Sequence, residues 1–172
     1  MKNLLTFANP AKTFLEPYAT FARMQIDNSF EMGWDIEDIL LVTNFPYSYR
    51  GVEAVVLSDD TYCQHRKRAS KINMICELIH RGILNETAWF HDFDAWQSEL
   101  LNDVLGGCDA AFTDYGTNDM WNTGSFFFRP SALEIFERIR EVMNQQRTNE
   151  EIALLRIGGR NMILLVFTIL EK

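Results

Sequence analysis

Trp89-Phe90-His91-Asp92-Phe93-Asp94-Ala95-Trp96 runs an apolar segment straight into two aspartates one residue apart. The apolar part, Thr87 to His91, reads as a buried strand. A strand that ends in Asp-Xaa-Asp projects two carboxylates from the edge of a sheet. Hard divalent cations such as Mg²⁺ or Mn²⁺ are held by such oxygens, often together with phosphate oxygens. Asp92 and Asp94 are therefore candidates for holding a metal that in turn holds a diphosphate. The tripeptide by itself fits a plainer reading better: acids that cap the next turn, or that are merely solvated.

The segments on either side supply the context. Upstream, Asn3 to Ala8 is a short apolar strand stopped by Asn9-Pro10. Thr13-Phe-Leu-Glu16 has capping-box spacing, and Leu15, Tyr18, Ala22 and Ile26 follow one helical face towards Gly33. Asp38 to Thr43 reads as a second strand and Val52 to Leu57 as a third. A helix with Ala69, Ile72, Cys76 and Ile79 on one face ends at Gly82 and carries Arg66, Lys67, Arg68 and Lys71 in its first half. Downstream of the aspartates, Asp109 to Thr113 and Ser125 to Phe128 read as further strands. Capping boxes at Ser131–Glu134 and Thr148–Glu151 open two helices, and Met162 to Leu170 reads as a last strand.

Short, fully apolar strands alternating with amphipathic helices predict an α/β chain: a three-layer α/β/α sandwich around a mainly parallel sheet. Ligands in such sheets sit outside the carboxyl ends of the strands. Ala8-Asn9, Asn44 and Asp92–Asp94 occupy three such ends, so all three are expected to meet at one cleft.

With 172 residues, the chain is expected to be a single domain spanning 1–172, large enough to bury a real core. Its formal charge of −8 argues against a nucleic-acid partner, whose footprint is usually basic. An anionic substrate must then be met by local basic residues or a metal. Cys63, Cys76 and Cys108 are odd in number and lack CxxC spacing, which fits reduced thiols in a cytoplasmic protein. No signal peptide is evident, and the longest apolar run is too short to form a transmembrane segment.

Arg68 and Lys71 are candidates to offset diphosphate charge, weighed evenly against a solvated basic face; for Arg66 and Lys67 the solvated face is favoured. Asn122-Thr123-Gly124 precedes an apolar strand, where a glycine permits close backbone approach and an Asn amide suits sugar hydroxyls. An ordinary turn explains the same tripeptide. Asp119 and Trp121 just before it could grip and stack on a sugar, or simply form a surface loop. Glu151 is explained as the capping partner of Thr148, whereas Glu150 has no such duty. His91 points away from Asp92 by strand alternation and reads as a core histidine. Phe93, between the acids, must lie near whatever they bind.

In order and spacing these pieces resemble the nucleotide-sugar-dependent glycosyltransferases of the GT-A fold. The resemblance covers roughly residues 1–157. It rests on the immediate N-terminal strand, the basic helix with Arg68 and Lys71, Trp-Phe-His-Asp92-Phe-Asp94, Asp109 to Asp114, Asn122-Thr-Gly-Ser-Phe-Phe-Phe-Arg129-Pro, and Thr148-Asn-Glu-Glu-Ile-Ala-Leu. It implies transfer of a sugar from a nucleoside-diphosphate sugar, a UDP-sugar by preference, to a carbohydrate or other hydroxyl acceptor. It implies that Asp92 and Asp94 hold Mn²⁺ or Mg²⁺ on the diphosphate, with Phe93 between them. The first strand ends (Thr6 to Asn9, including Ala8, and Asn44) receive the nucleoside, and Lys71 or Arg68 neutralises phosphate. Asn122, Thr123 and Gly124, with Asp119 and Trp121, border the sugar and acceptor. Glu150 and Glu151 stand where inverting members carry a catalytic base and retaining members an acid beside the donor sugar. Two features depart from the pattern: no histidine follows position 91 to complete a metal site, and the tail after Gly158-Gly159 matches poorly.

Rival readings remain on these residues. A HAD-type phosphatase also ends a strand in Asp-Xaa-Asp, but its motif normally closes the first strand, with Thr or Val where Trp96 stands. A nucleotidyltransferase needs a Gly-rich start, and Phe7-Ala8-Asn9-Pro10 is not one. A non-catalytic nucleotide-sugar-binding module would use the same cleft.

Overall fold

The computed structural model describes residues 1–102, 104–114 and 121–158. The strand expected over 162–170 lies outside them. The elements are β1 (Lys2–Phe7), α1 (Tyr18–Glu31), β2 (Ile39–Thr43), β3 (Ser48–Tyr49), β4 (Val52–Glu53), β5 (Val55–Val56), α2 (Ser70–His80), β6 (Ala88–His91), β7 (Ala110–Asp114), β8 (Trp121–Phe128), α3 (Leu133–Gln146) and α4 (Glu150–Gly158). Six strands form one sheet in the order β5-β2-β1-β6-β8-β7. β5, β2, β1 and β6 run parallel, and β8 is antiparallel to both of its neighbours. The sheet is thus mainly parallel, as the apolar strands predict.

Strand alternation sorts the core into two layers. Leu4, Val42, Phe90, Phe112, Phe126 and Phe128 face one way, onto Ile72 and Ile75 of α2, Phe136 and Ile139 of α3 and Leu154 of α4. Leu5, Leu41, Trp89, Ala111 and Phe127 face the other way, onto Ile26 of α1 and Trp34. Helices therefore cover both faces, and on the α1 side buried polar contacts such as Asn3 to Ser29 (2.7 Å) stand beside the apolar ones. Gly33 (φ 88°) and Gly82 (φ 65°) stand just past the ends of α1 and α2, in the left-handed conformation that lets the chain leave a helix sharply. No helix of the described residues is long and apolar enough to cross a membrane.

Several local expectations are corrected. The third strand, expected over 52–57, is two short strands: Val52–Glu53 turns about Gly51 to pair antiparallel with β3, and only Val55–Val56 reaches β2. β8 begins at Trp121, not Ser125, and takes in Asn122-Thr123-Gly124. Its register jumps from Phe112↔Phe126 to Thr113↔Asn122, so Thr123, Gly124 and Ser125 form a bulge. None of the three capping boxes forms as spaced. Pro17 is the N-cap of α1, and the Glu16 carboxylate accepts from the Thr20 hydroxyl (2.8 Å). Ser131 bonds Asp109 instead of capping α3. Asn149, not Thr148, caps α4, its Oδ1 accepting from the Ile152 N–H at 2.9 Å. Cys76 is buried as expected, which pushes its thiol up to about 11, while Cys108 is only half-buried.

Candidate active site

The strand order reverses between β1 and β6: the chain moves from β1 to β2 and β5 on one side, then returns through α2 to β6 on the other. Such a switch point opens a crevice at the carboxyl ends of the two strands. A cleft of about 340 Å³ lies there. Thr6, Phe7, Ala8, Asn9 and Pro10 line it from the end of β1. Leu15, Pro17, Tyr18 and Phe21 come from the entry to α1, Lys67, Arg68, Ser70 and Lys71 from the turn into α2, and Asp92, Phe93 and Asp94 from the end of β6. A more open depression of about 460 Å³ beside the β3–β4 hairpin has Glu53 as its one carboxylate and no lysine or arginine.

Lys71 is the centre of the charged end. α2 starts at Ser70, so its first turn aims the Lys71 side chain between β6 and β8. The ammonium reaches Asp92 Oδ2 at 2.9 Å and Oδ1 at 3.2 Å, the Thr123 carbonyl at 2.7 Å and Glu150 Oε1 at 3.1 Å. It also stands 5.2 Å from the Phe90 ring centroid. Its side chain is 4 % exposed, against 8 % for Glu150 and 33 % for Asp92. An ammonium has three N–H donors, and three groups already take them. Lys71 therefore acts as an internal counter-ion that ties β6, the bulge of β8 and α4 together. Burial raises the Asp92 carboxyl from its ordinary value; Lys71 opposes this, and Glu150 and Asp94 add to it.

The bulge brings the next group of residues in. The Gly124 carbonyl accepts from the Asp92 N–H (2.7 Å), and the Gly124 N–H donates to Asn122 Oδ1 (2.6 Å). A Cβ on Gly124 would lie 3.0 Å from Asn122 Oδ1 and 3.5 Å from Asp92 Oδ2, so the bulge passes close to the acids because this residue has no side chain. The Thr123 hydroxyl donates to Glu150 Oε1 at 3.3 Å. Trp121 packs against the larger core rather than standing on a surface loop. Asp119 lies outside the described residues.

At the opposite end the asparagines serve the loop itself. Asn44 is buried. Its Oδ1 accepts from the Asn9 N–H (2.8 Å), and its amide donates to the Asn9 carbonyl (3.1 Å) and to Asp59 (2.9 Å). The Asn9 side chain donates to the Thr13 carbonyl (2.7 Å) and accepts from the Ala11 N–H (3.1 Å). Both amides shape the turn after β1, and Asn44 does not line the cleft. The apolar wall comes instead from residues expected on the buried face of α1: Leu15 and Tyr18 are 55 % and 44 % exposed. The Phe7 ring lies 5.0 Å from Tyr18 and is stacked on Phe93 at 5.7 Å, which makes an aromatic floor.

His91 is a core histidine, as alternation predicts. Its Nδ1 faces Ser125 Oγ at 3.3 Å and its Nε2 meets the Gln97 amide. Burial pulls it down to about 3. Of the acids that open α4, Glu150 joins the Lys71 cluster, while Glu151 is half-buried beside it in sequence. Lys67 is exposed, as the solvated reading expects, and also borders the cleft, as does Ser70. Their position at the turn into α2 and at its first residue is the available signal, since that turn lies beside Lys71.

The donor chemistry suits a hard divalent cation. Asp94 is exposed, and Asp92 keeps lone pairs beyond those that Lys71 uses. No group of three or more His, Cys, Asp or Glu among the described residues is placed to hold a metal ion by itself.

No protein-family model matches the chain, and no curated protein matches it in sequence. Solved structures do match in fold. The glycosyltransferase GlyE of Streptococcus pneumoniae TIGR4 superposes with a TM-score of 0.64 at 11 % identity, over 95 % of this chain and 45 % of that one. A glycosyltransferase involved in glycosylation of the major capsid of PBCV-1 gives 0.55 at 14 % identity, over 97 % and 82 %. The chain thus has a glycosyltransferase fold, and it spans less than half the length of GlyE.

Proposed function

We propose that this chain transfers a glycosyl group from a nucleoside-diphosphate sugar, a UDP-sugar by preference, to a hydroxyl acceptor. The observation that carries this reading is the cleft at the β1/β6 switch point, which joins an aromatic wall, a basic turn and the Asp92–Asp94 loop in one crevice. The base lies against Tyr18, Phe21 and the Phe7–Phe93 stack, near the backbone of Thr6 to Ala8. Asp92 and Asp94 are the residues that would hold Mn²⁺ or Mg²⁺, whose chemistry is to stabilise charge on the departing diphosphate. Lys71 orients Asp92. Because its donors are used, the free cationic charge facing phosphate falls to Arg68 and Lys67 at the rim. Asn122 and Gly124 border the sugar. Glu150 is the acid of the α4 pair that stands with the Lys71 cluster. In an inverting transfer it is the group to take the acceptor proton, and in a retaining one it stands beside the donor sugar.

Calorimetry of UDP-, GDP- and dTDP-sugars with and without Mn²⁺ tests the reading. The expected result is binding that requires the metal, and a saturating donor at 100 times Kd then raises stability by about 2.7 kcal/mol. Asp94→Asn, at an exposed position, keeps the fold and weakens metal-supported binding by at least about 10-fold. Absence of metal-dependent nucleotide binding, or an Asp94→Asn variant that binds as the parent does, overturns it. Metal-dependent binding without turnover on any acceptor would make the chain a binding module.

A further inference from the structure

The loop after β6 carries the site's acids without regular structure of its own, yet its backbone is held by side chains of α1. The Gln25 amide donates to the Phe93 carbonyl at 3.2 Å and to the Ala95 carbonyl. Asn28 pairs reciprocally with Gln97: its amide donates to the Gln97 carbonyl (3.0 Å), and its Oδ1 accepts from the Gln97 N–H (3.1 Å). The bonds end at positions 93, 95 and 97, the alternation a neighbouring strand would use. The Gln97 side chain is in turn held by Trp34 (2.8 Å) and Asn3 (3.1 Å).

Gln25, Asn28 and Gln97 are all buried. An apolar face would dock α1 on the sheet without burying amides, which is unfavourable unless every polar atom is paired. What the amides add is direction. Tyr18, Phe21, Gln25 and Asn28 follow one another at spacings of three and four, so they form one stripe along α1. The front of that stripe is the cleft wall, and its back is the clasp on the acid loop.

We propose that Gln25 and Asn28 are positioning residues that set the Asp92–Asp94 loop against the nucleoside wall. α1 acts as one rigid bar that registers the two ends of a nucleoside diphosphate. The inference rests on reading the cleft as a nucleoside-diphosphate site. Groups that orient metal-binding carboxylates from behind act on metal-supported affinity while leaving metal-free contacts alone.

The test compares two probes on Gln25→Met, which keeps length and burial but removes both donors. Calorimetry gives the affinity for UMP without metal and for UDP with Mn²⁺, and the electron paramagnetic resonance signal of free Mn²⁺ reports metal uptake independently of turnover. The expected result is UDP–Mn²⁺ binding about 10- to 100-fold weaker, with a clearly smaller loss for UMP, whose base meets only Phe93 of that loop. If circular dichroism shows that Gln25→Met is not folded, Gln25→Asn gives the same comparison, since it keeps a buried amide one methylene short of the two carbonyls. Unchanged UDP–Mn²⁺ affinity in a folded variant, or an equal loss for both probes, overturns the positioning role. Parent protein that binds neither probe overturns the donor reading itself, and this inference with it.

Discussion

Replacing Lys71 by Met removes the cation towards which Asp92, Glu150 and the Thr123 carbonyl all turn, at distances of 2.7 to 3.2 Å. The methionine fills much of the same volume, so the cost is electrostatic. Two carboxylates are left facing each other, one of them 8 % exposed, and a carbonyl loses its donor. Breaking a buried ion pair from one side costs about 3–5 kcal/mol. Asp92 is 33 % exposed, so water solvates part of the uncovered charge and the expected loss sits at the lower end, about 3 kcal/mol. For a chain of this size that lowers the melting temperature by roughly 6–12 °C. The sign with pH is distinctive. Burial already holds the Asp92 carboxyl above its ordinary value, and without Lys71 nothing opposes that rise. Such a group contributes stability that is present in acid and lost as pH rises through its folded value, so the deficit should shrink between pH 8 and pH 5. Melts of parent, Lys71→Met and Lys71→Met/Glu150→Gln at both pH values check this, and the double variant should recover part of the loss. A deficit under about 1 kcal/mol at pH 8, or one that does not shrink in acid, would refute the role of Lys71 as internal counter-ion.

Two further outcomes follow from local structure. Burial pulls His91 down to about 3, so the folded chain binds its proton less tightly than the unfolded chain does. Stability from the neutral imidazole is therefore kept above the ordinary value near 6.5 and lost as pH falls below it, by about 2 kcal/mol at pH 5. His91→Asn should flatten the fall in chemical-denaturation stability between pH 7 and pH 5, and equal slopes would remove the assignment. Asn149→Ala should cost about 1 kcal/mol, while Asn149→Asp should cost little because it keeps the capping oxygen. A melt in which both variants lose equally would mean that Asn149 does not cap α4.

Strands β1, β2 and β6 were legible because each is a short apolar run stopped by polar or turn residues, and burial on both faces leaves no other pattern. The ends of α1 and α2 were legible because Gly33 and Gly82 adopt positive φ at no steric cost. The third strand is not legible because Val52 to Leu57 is apolar but for Glu53, and nothing local says that its first half folds back on Ser48–Tyr49. The capping boxes were misjudged because Thr148 and Asn149 are both good caps, and only the path of the chain selects one.

By itself the sequence determined where the candidate site residues stand. Asp92 and Asp94 stand at a strand end because the apolar run stops there, and Lys71 and Arg68 share a helix start because α2 begins there. Only the tertiary structure decided what each of them meets. Lys71 meets acceptors 21 and 52 residues further along the chain, and Gln25 meets carbonyls 68 and 70 residues further along. Periodicity reports which face of an element is apolar. It carries no signal for polar atoms that find each other across a bulge or between a helix and a loop, because those meetings are set by the packing of all the layers at once.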